Sequence, residues 1–214
     1  DGRADGTEPD GNKTGGMSKR KIIPIAREFG AGGGEIGRRV SKELGIAYYD
    51  RDIILKTAVA SGKLNPKQVR RWDERVPSSF GFAQSLFDFY NKPLDEEIWN
   101  AQMEAIRDLA NHESCVIVGR NSDYILAEFD HCLRVFVHAG FQWRVERMTG
   151  MMKGASPEQV RADAREADRA RKRYCEYYTH RSYGDVRNYD LTLNTEKLGV
   201  DKAVSLVLAA AEGL

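Results

Sequence analysis

The residues best suited to chemistry are four glycines among residues 30–34, within the stretch KIIPIAREFGAGGGEIGRRV. They separate a short apolar run at 21–26 from a segment at 35–44 whose apolar residues recur at helical spacing. A glycine loop between a strand and a helix can wrap its backbone around an anion, because its N–H groups and the helix dipole both direct positive charge into the turn. The sequence therefore predicts a phosphate site with these candidate residues: Gly30, Ala31, Gly32, Gly33, Gly34, Glu35 and Arg38.

Two nucleotide-binding motifs compete for this loop. Gly32, Gly34 and Gly37 spell G-x-G-x-x-G, and Asp50 follows at about the distance of the ribose-binding acid in a dinucleotide fold. Five residues separate Ala26 from Gly32, however, which is a longer connection than that fingerprint needs. This length favours a P-loop. The dinucleotide motif, and a glycine turn that only connects two elements, are the alternatives.

The P-loop motif G-x-x-x-x-G-K-[ST] is not present as written. Aligning it by its glycines would leave about seven residues for the next helix, which is fewer than usual. Aligning it by the flanking strand and helix puts Gly33 in the lysine slot and Glu35 in the hydroxyl slot. We favour the second register, which implies a P-loop without its lysine and its magnesium-binding hydroxyl. Arg27 and Arg38 are the candidates to replace the lysine.

A second charged group follows the sequence Ser-Pro-Glu-Gln at 156–159, a capping box that predicts the start of a helix. Arginines then recur every four residues along one helical face, with two more cations beside them: Arg161, Arg165, Arg169 and Arg173, then Arg171 and Lys172. Acidic residues alternate with them, so one interpretation is a solvent-exposed helix whose surface charges form ion pairs. We favour another, in which the arginines of a mobile helix close over a transferring phosphoryl group, because that chemistry rests on positioning and charge neutralisation.

Apolar runs and helical periodicity predict the elements that position these groups. Strands are expected at 21–26, 46–49, 114–118, 133–137 and 191–193, and helices at 35–44, 51–60, 94–112, 141–151 and from Ser156 onward, with a last helix capped by Asp201. Strands that alternate with helices indicate an α/β fold with a parallel sheet covered on both faces. Ligands then bind beyond the carboxyl ends of the strands.

Composition places the chain among globular proteins. Its 214 residues are 41% hydrophobic and 30% charged, and the net charge of +1 gives no reason to expect nucleic-acid binding. Three isolated cysteines suggest neither disulfides nor a zinc site, and the sequence points to no metal ligands. No apolar run could span a membrane or serve as a signal peptide, so we expect a cytoplasmic protein. Residues 1–17 are expected to form a flexible tail.

Aromatic residues cluster between the second and third predicted strands: Phe80, Phe82, Phe87, Phe89 and Tyr90. Such a cluster can stack a base, but we expect it to serve packing, as buried aromatics commonly do.

As an ordered set, five stretches resemble the bacterial cytidylate-kinase-like proteins, which are relatives of the nucleoside monophosphate kinases. They are residues 21–52, CVIVGRNSDYIL at 115–126, RVFVHAGFQWRVERM at 134–148, DRARKRYCEYYTHRSYGD at 168–185 and NYDLTLNTEKLG at 188–199. The resemblance implies a three-layer P-loop NTPase-like fold over residues 18–214, built on a five-stranded parallel sheet. It also implies a helical insertion for the nucleoside monophosphate at about 51–94 and a helical, arginine-rich lid at about 153–184.

The resemblance also implies roles for single residues. The glycine loop would cradle the donor phosphates, and Arg120 would meet the phosphate or base of the acceptor. The acceptor site would begin at Asp50 and Asp52, with Lys56 as a further candidate. The lid would contribute Asp168 and three catalytic arginines: Arg169, Arg171 and Arg173.

The leading hypothesis is therefore phosphoryl transfer from ATP, with Mg²⁺, to a nucleoside monophosphate, CMP or dCMP being the first acceptor to try. The resemblance also implies a P-loop lysine followed soon after by a hydroxyl residue, as in cytidylate kinases, whereas this chain has Gly33 and Glu35. That departure motivates an alternative, a nucleotide-binding protein of weak or no activity that acts as a sensor or interaction module. A dinucleotide oxidoreductase is a third hypothesis, which the arginine helix disfavours because hydride transfer has no evident use for so many cations.

Overall fold

A computed structural model of the chain describes residues 20–63, 96–152 and 154–214. The tail at 1–17, the aromatic cluster at 80–90 and most of the predicted insertion at about 51–94 lie outside the described residues.

The described residues contain one parallel sheet whose strands lie in the order β2-β3-β1-β4-β5. The strands are β1 Ile22–Arg27, β2 Ala47–Tyr49, β3 Cys115–Val118, β4 Val135–His138 and β5 Leu191–Asn194. All five strands predicted from the sequence form, with bounds within two residues of the prediction. The order differs from the 3-2-1-4-5-6 of a dinucleotide-binding sheet, because β3 and not β2 lies beside β1. The dinucleotide interpretation of the glycine motif is therefore wrong.

Helices connect the strands. They are α1 Gly33–Leu44, α2 Arg51–Ala60, α3 Glu96–His112, α4 Ser122–Ile125, α5 Phe141–Met151, α6 Pro157–Thr179 and α7 Thr195–Glu212, with a 3₁₀ turn at Val186–Asn188. The predicted bounds of α2 and α5 are confirmed. The capping box is confirmed too, since Ser156 Oγ accepts a hydrogen bond from the N–H of Gln159 over 3.1 Å.

The last helix begins earlier than predicted. Asn194 caps α7, and its side chain accepts a hydrogen bond from the N–H of Glu196 over 3.1 Å. Gly199, with φ 72°, interrupts the helix shortly before Asp201, which lies inside α7 and forms an ion pair with Arg39 at 2.7 Å.

Two apolar layers cover the sheet, as expected for parallel strands buried on both faces. On one face, Ile23 and Ile25 of β1 pack in a cluster that includes α1 and α7. On the other face, Ile22 and Ile117 belong to a cluster with α2, α3, α4, α5 and α6. The chain is thus a three-layer α/β structure, and the loops at the carboxyl edge of its sheet lie between the two helical layers. No helix in the described part of the chain is both long and apolar enough to cross a membrane.

Candidate functional site

The glycine loop follows β1 and leads directly into α1. Gly30 and Gly32 have φ values of 76° and 93°, a left-handed conformation that residues with a β-carbon rarely adopt. Gly32 is the N-cap of α1, and the N–H of Ile36 donates the first intrahelical bond to its carbonyl over 2.9 Å. The amides of the first turn of α1 have no partner within the helix, so they are available to an anion.

Side chains from distant elements bind the carbonyl oxygens of this loop. Arg144 Nη1 donates to Phe29 O over 2.8 Å, Arg147 Nη1 donates to Gly30 O over 3.2 Å, and Thr195 Oγ1 donates to Ala31 O over 2.8 Å. Because the N–H and C=O of a planar trans peptide point in opposite directions, the N–H groups of Gly30 and Gly32 point away from the side chains that bind the preceding carbonyls. The N–H of Ala31 donates to Glu28 O over 3.3 Å. The loop is therefore built to present N–H groups rather than carbonyls.

A buried arginine connects the loop with α5 and α6. Arg144 is 4% exposed and forms ion pairs with Asp168 at 2.7 Å and with Glu28 at 3.3 Å. Asp168 also accepts a hydrogen bond from the N–H of Phe29 over 2.7 Å, and Glu28 accepts one from the N–H of Ala139 over 3.1 Å. This network fixes the backbone on both sides of the site.

The predicted residues of α6 separate into two groups. Asp168 contacts the backbone just before the loop, and the buried Arg171 donates from Nη1 to Arg27 O over 3.1 Å. Arg169 is exposed and lies 3.6 Å from Glu166, and Arg173 is exposed as well. The structure thus brings Asp168 and Arg171 to the loop and leaves the other two arginines on the outer side of the helix.

The inner side of α6 is packed into the apolar core. Val160, Ala164, Ala167 and Ala170 are buried there. Trp99 of α3 stacks on Tyr178 of α6 with ring centroids 4.5 Å apart. The outer arginines Arg161 and Arg165 both lie over the ring of Phe141.

The predicted acceptor residues lie around the start of α2. Asp50 is the N-cap of α2, and its Oδ1 accepts bonds from the N–H groups of Asp52 and Ile53 at 3.1 and 3.3 Å. Asp52 is exposed and paired with Arg51 at 2.7 Å, and Lys56 is exposed. Asp50 therefore shapes the start of α2 through the backbone.

The end of β3 carries an unusual turn. Gly119, Arg120 and Asn121 have consecutive positive φ values of 84°, 62° and 52°, and both side chains are buried. Non-glycine residues in this conformation are uncommon and cluster at functional sites, where strain is maintained by the surrounding structure. Nδ2 of Asn121 is buried without a hydrogen-bond partner in the described chain. This turn brings Arg120, a predicted substrate residue, to the same edge as the glycine loop.

Arg38 lies on α1, beside the end of β2. Its Nη1 donates to the hydroxyl of Tyr48 over 3.3 Å, and its guanidinium lies over the Tyr48 ring. Burial raises the pKa of Tyr48 above 10.0, and the positive charges of Arg38 and Arg27 oppose this rise. The negative charge of Asp50 adds to the rise of this pKa, so charges of both signs meet where β1 and β2 end beside α1.

Sequence reasoning missed four residues of this site: Glu28, Arg144, Arg147 and Thr195. Arg144 and Arg147 are spaced by one helical turn within the stretch at 134–148 that carried the family resemblance, which was a usable signal. The sequence gives no signal for Thr195, because its contact with Ala31 joins residues 164 positions apart.

Comparisons with known proteins agree on one group. A family model described as "Cytidylate kinase-like family" matches residues 22–197. A cytidylate kinase of Thermococcus sibiricus is 26% identical over 194 residues, which are 90% of this chain and 89% of that protein.

Solved structures share the fold. An uncharacterized protein from Eubacterium ventriosum has a TM-score of 0.68 at 23% identity, over 91% of this chain and 100% of that one. A shikimate kinase from Bacteroides thetaiotaomicron has a TM-score of 0.52 at 12% identity, over 90% and 98% of the two chains. These likenesses, together with the sheet, show a P-loop NTPase-like fold.

Proposed function

The chain belongs to the cytidylate kinase-like family, and we propose that it transfers the terminal phosphoryl group of ATP to a nucleoside monophosphate, with CMP or dCMP as the first acceptor to test. One observation carries this proposal: side chains bind the carbonyls of Phe29, Gly30 and Ala31, so the N–H groups of Gly30 and Gly32 point away from those side chains. Such a loop at the end of the first strand suits a polyphosphate.

In this mechanism the protein positions the substrates and neutralises charge. The loop amides bind the donor phosphates, and Arg120 at the end of β3 meets the acceptor. Asp168 and Arg171 hold the strand end and the loop in place through the backbone of Phe29 and Arg27. No residue needs to act as a strong base, because phosphoryl transfer involves little covalent chemistry by the protein. Residues at about 51–94 and 153–184 serve as the acceptor-binding insertion and the lid.

Magnesium enters this proposal as part of the substrate MgATP. The carboxylate of Glu35, in the first turn of α1, is paired with Arg147 at 2.7 Å. The ion would keep several waters and bind the phosphate oxygens, which is its usual preference. No group of three or more metal-ligating side chains occurs in the described parts of the chain.

A direct assay tests the proposal. The purified 214-residue protein is incubated with MgATP and each common nucleoside monophosphate, and the diphosphate products are separated by anion exchange. We expect turnover with at least one acceptor and its loss in Gly32→Ala, because Gly32 requires φ 93° at the centre of the loop. Gly45→Ala is the matched control, since Gly45 also has positive φ but lies at the far end of α1. If the protein binds ATP but phosphorylates none of the monophosphates, the proposed kinase activity is refuted.

That last result would support the alternative function, a nucleotide-binding protein without turnover. Gly33 favours this alternative, because it occupies the slot of the lysine that a P-loop uses for catalysis. Turnover that is lost in Arg171→Ala would exclude it.

A further inference from the structure

The side chain of Arg27, the last residue of β1, lies against the glycine loop. A β-carbon on Gly33 would be 2.6 Å from Cβ and 2.9 Å from Cγ of Arg27, which is closer than real β-carbons approach other atoms. Only glycine at position 33 therefore leaves room for the aliphatic part of this arginine. Position 33 is also the lysine slot of the loop in the register that begins α1 at Gly33.

A second glycine makes room for the charged end of the same side chain. A β-carbon on Gly119 would collide with Nη1 of Arg27 and lie 3.1 Å from its Cζ. Gly119 follows β3 directly, and β3 is the neighbour of β1 in the sheet. The guanidinium of Arg27 thus lies at the carboxyl edge of the sheet, between the end of β3 and the start of α1.

Two side chains fix the backbone of Arg27. Its carbonyl accepts hydrogen bonds from Arg171 Nη1 over 3.1 Å and from the Tyr183 hydroxyl over 2.6 Å. Its β1 position pairs with Val137 of β4. The arginine is therefore held from several elements at the place where phosphates are expected.

Resting on the proposed function, we propose that Arg27 supplies the cation of the missing P-loop lysine, binding the terminal phosphate of ATP from the strand end rather than from the loop. A guanidinium can bind two phosphate oxygens at once, and it keeps its charge under all relevant conditions. Gly33 is then part of the same arrangement, because a lysine there would compete with Arg27 for one volume.

Neutralising and conservative variants test this role. Arg27→Gln is expected to lower kcat by about 100-fold or more, the scale of losing one stabilising group in a transition state. Arg27→Lys should retain more activity than Arg27→Gln. Arg39→Gln is the matched control, since Arg39 is a partly exposed residue of α1 paired with Asp201. Thermal unfolding of each variant separates loss of function from loss of fold.

A second-site rescue gives the sharper result. Gly33→Lys alone is expected to be inactive or unfolded, because its β-carbon would collide with Arg27. The double variant Arg27→Gly/Gly33→Lys removes both Cβ and Cγ of residue 27 and returns a cation to the loop. Its kcat should be at least about tenfold higher than that of Arg27→Gly, which is part of the effect expected for one such stabilising group. If Arg27→Gln does not fold, the comparison between the double variant and its single-variant parent at position 27 decides whether the loop needs this cation.

ATP affinity, measured by titration calorimetry, distinguishes the failure of this inference from failure of the proposed function. If the wild type turns over no monophosphate, the kinase proposal fails, yet weaker ATP binding in Arg27→Gln than in Arg39→Gln would still support Arg27 as the phosphate cation. Wild-type values of both kcat and ATP affinity in a folded Arg27→Gln would overturn it.

Discussion

Arg147 donates a hydrogen bond from Nη2 to Oε2 of Glu35 over 2.7 Å and thereby joins α5 to the first turn of α1. Its Nη1 simultaneously donates to the carbonyl of Gly30. Glu35 suits a helix N-terminus but would repel a phosphate bound there. The arginine resolves this conflict, because it compensates the carboxylate charge and braces the loop at the same time.

The first prediction concerns this ion pair. Arg147→Gln should weaken ATP binding about fivefold, because the uncompensated charge of Glu35 then repels the phosphates by roughly 1 kcal/mol across a screened, partly exposed site. The double variant Arg147→Gln/Glu35→Gln should recover most of the affinity, as measured by titration calorimetry. Glu146→Gln, an exposed neighbour on α5 that bonds to Gln142, is the charge control. Equal affinities of the single and double variants would contradict the compensation.

The second prediction concerns the buried ion pair of Arg144. Asp168→Ala should lower the free energy of unfolding by about 2 kcal/mol, less than for a fully buried pair because Glu28 still compensates Arg144 and Asp168 is partly exposed. Urea denaturation measures the change. Glu176→Ala, which removes an exposed carboxylate of the same helix, should cost less than about 0.5 kcal/mol. Similar losses in both variants would contradict the network.

Local sequence patterns sufficed to predict the framework of this molecule but not its contacts. The strands, the glycine loop and the cap at Ser156 follow from residue spacing, and they formed where expected. The bond from Arg147 to Gly30 spans 117 positions and depends on how α5 packs beside the loop, which no local pattern encodes. The same holds for α6, whose arginines looked alike in sequence although only Arg171 is buried against β1.

The third prediction concerns a buried amide. Gln102 of α3 is 1% exposed, and neither atom of its amide has a hydrogen-bond partner in the described chain. Burying such a group costs about 1–3 kcal/mol, so Gln102→Met, which keeps the size, should raise the free energy of unfolding by about 1 kcal/mol. Calorimetry should show a midpoint about 2–4 °C higher for a chain of this length. Gln102→Glu should show the opposite change. A lower midpoint in Gln102→Met would mean that the amide has a partner.

The fourth prediction concerns the buried carboxyl of Asp123 in α4. Burial raises the pKa of Asp123 from 3.8 to about 6, although the positive charges of Arg181 and Arg134 act in the other direction. The folded protein therefore binds this proton more tightly than the unfolded chain does. By linkage, stability is greatest below pH 4 for this group and is lost as the pH rises through about 6.

Asp123→Asn should consequently become more stable relative to the wild type as the pH rises from 4 to 7, by up to about 3 kcal/mol, the value of two pKa units. Urea midpoints of both proteins at each pH provide the measurement. Asp190→Asn is the control, because the hydrogen bond from Arg134 lowers the pKa of Asp190, which is therefore ionised in both the folded and the unfolded protein between pH 5 and 7. The difference in free energy of unfolding between Asp190→Asn and the wild type should be constant between pH 5 and 7. A constant difference for Asp123→Asn as well would show that Asp123 ionises normally in the folded protein.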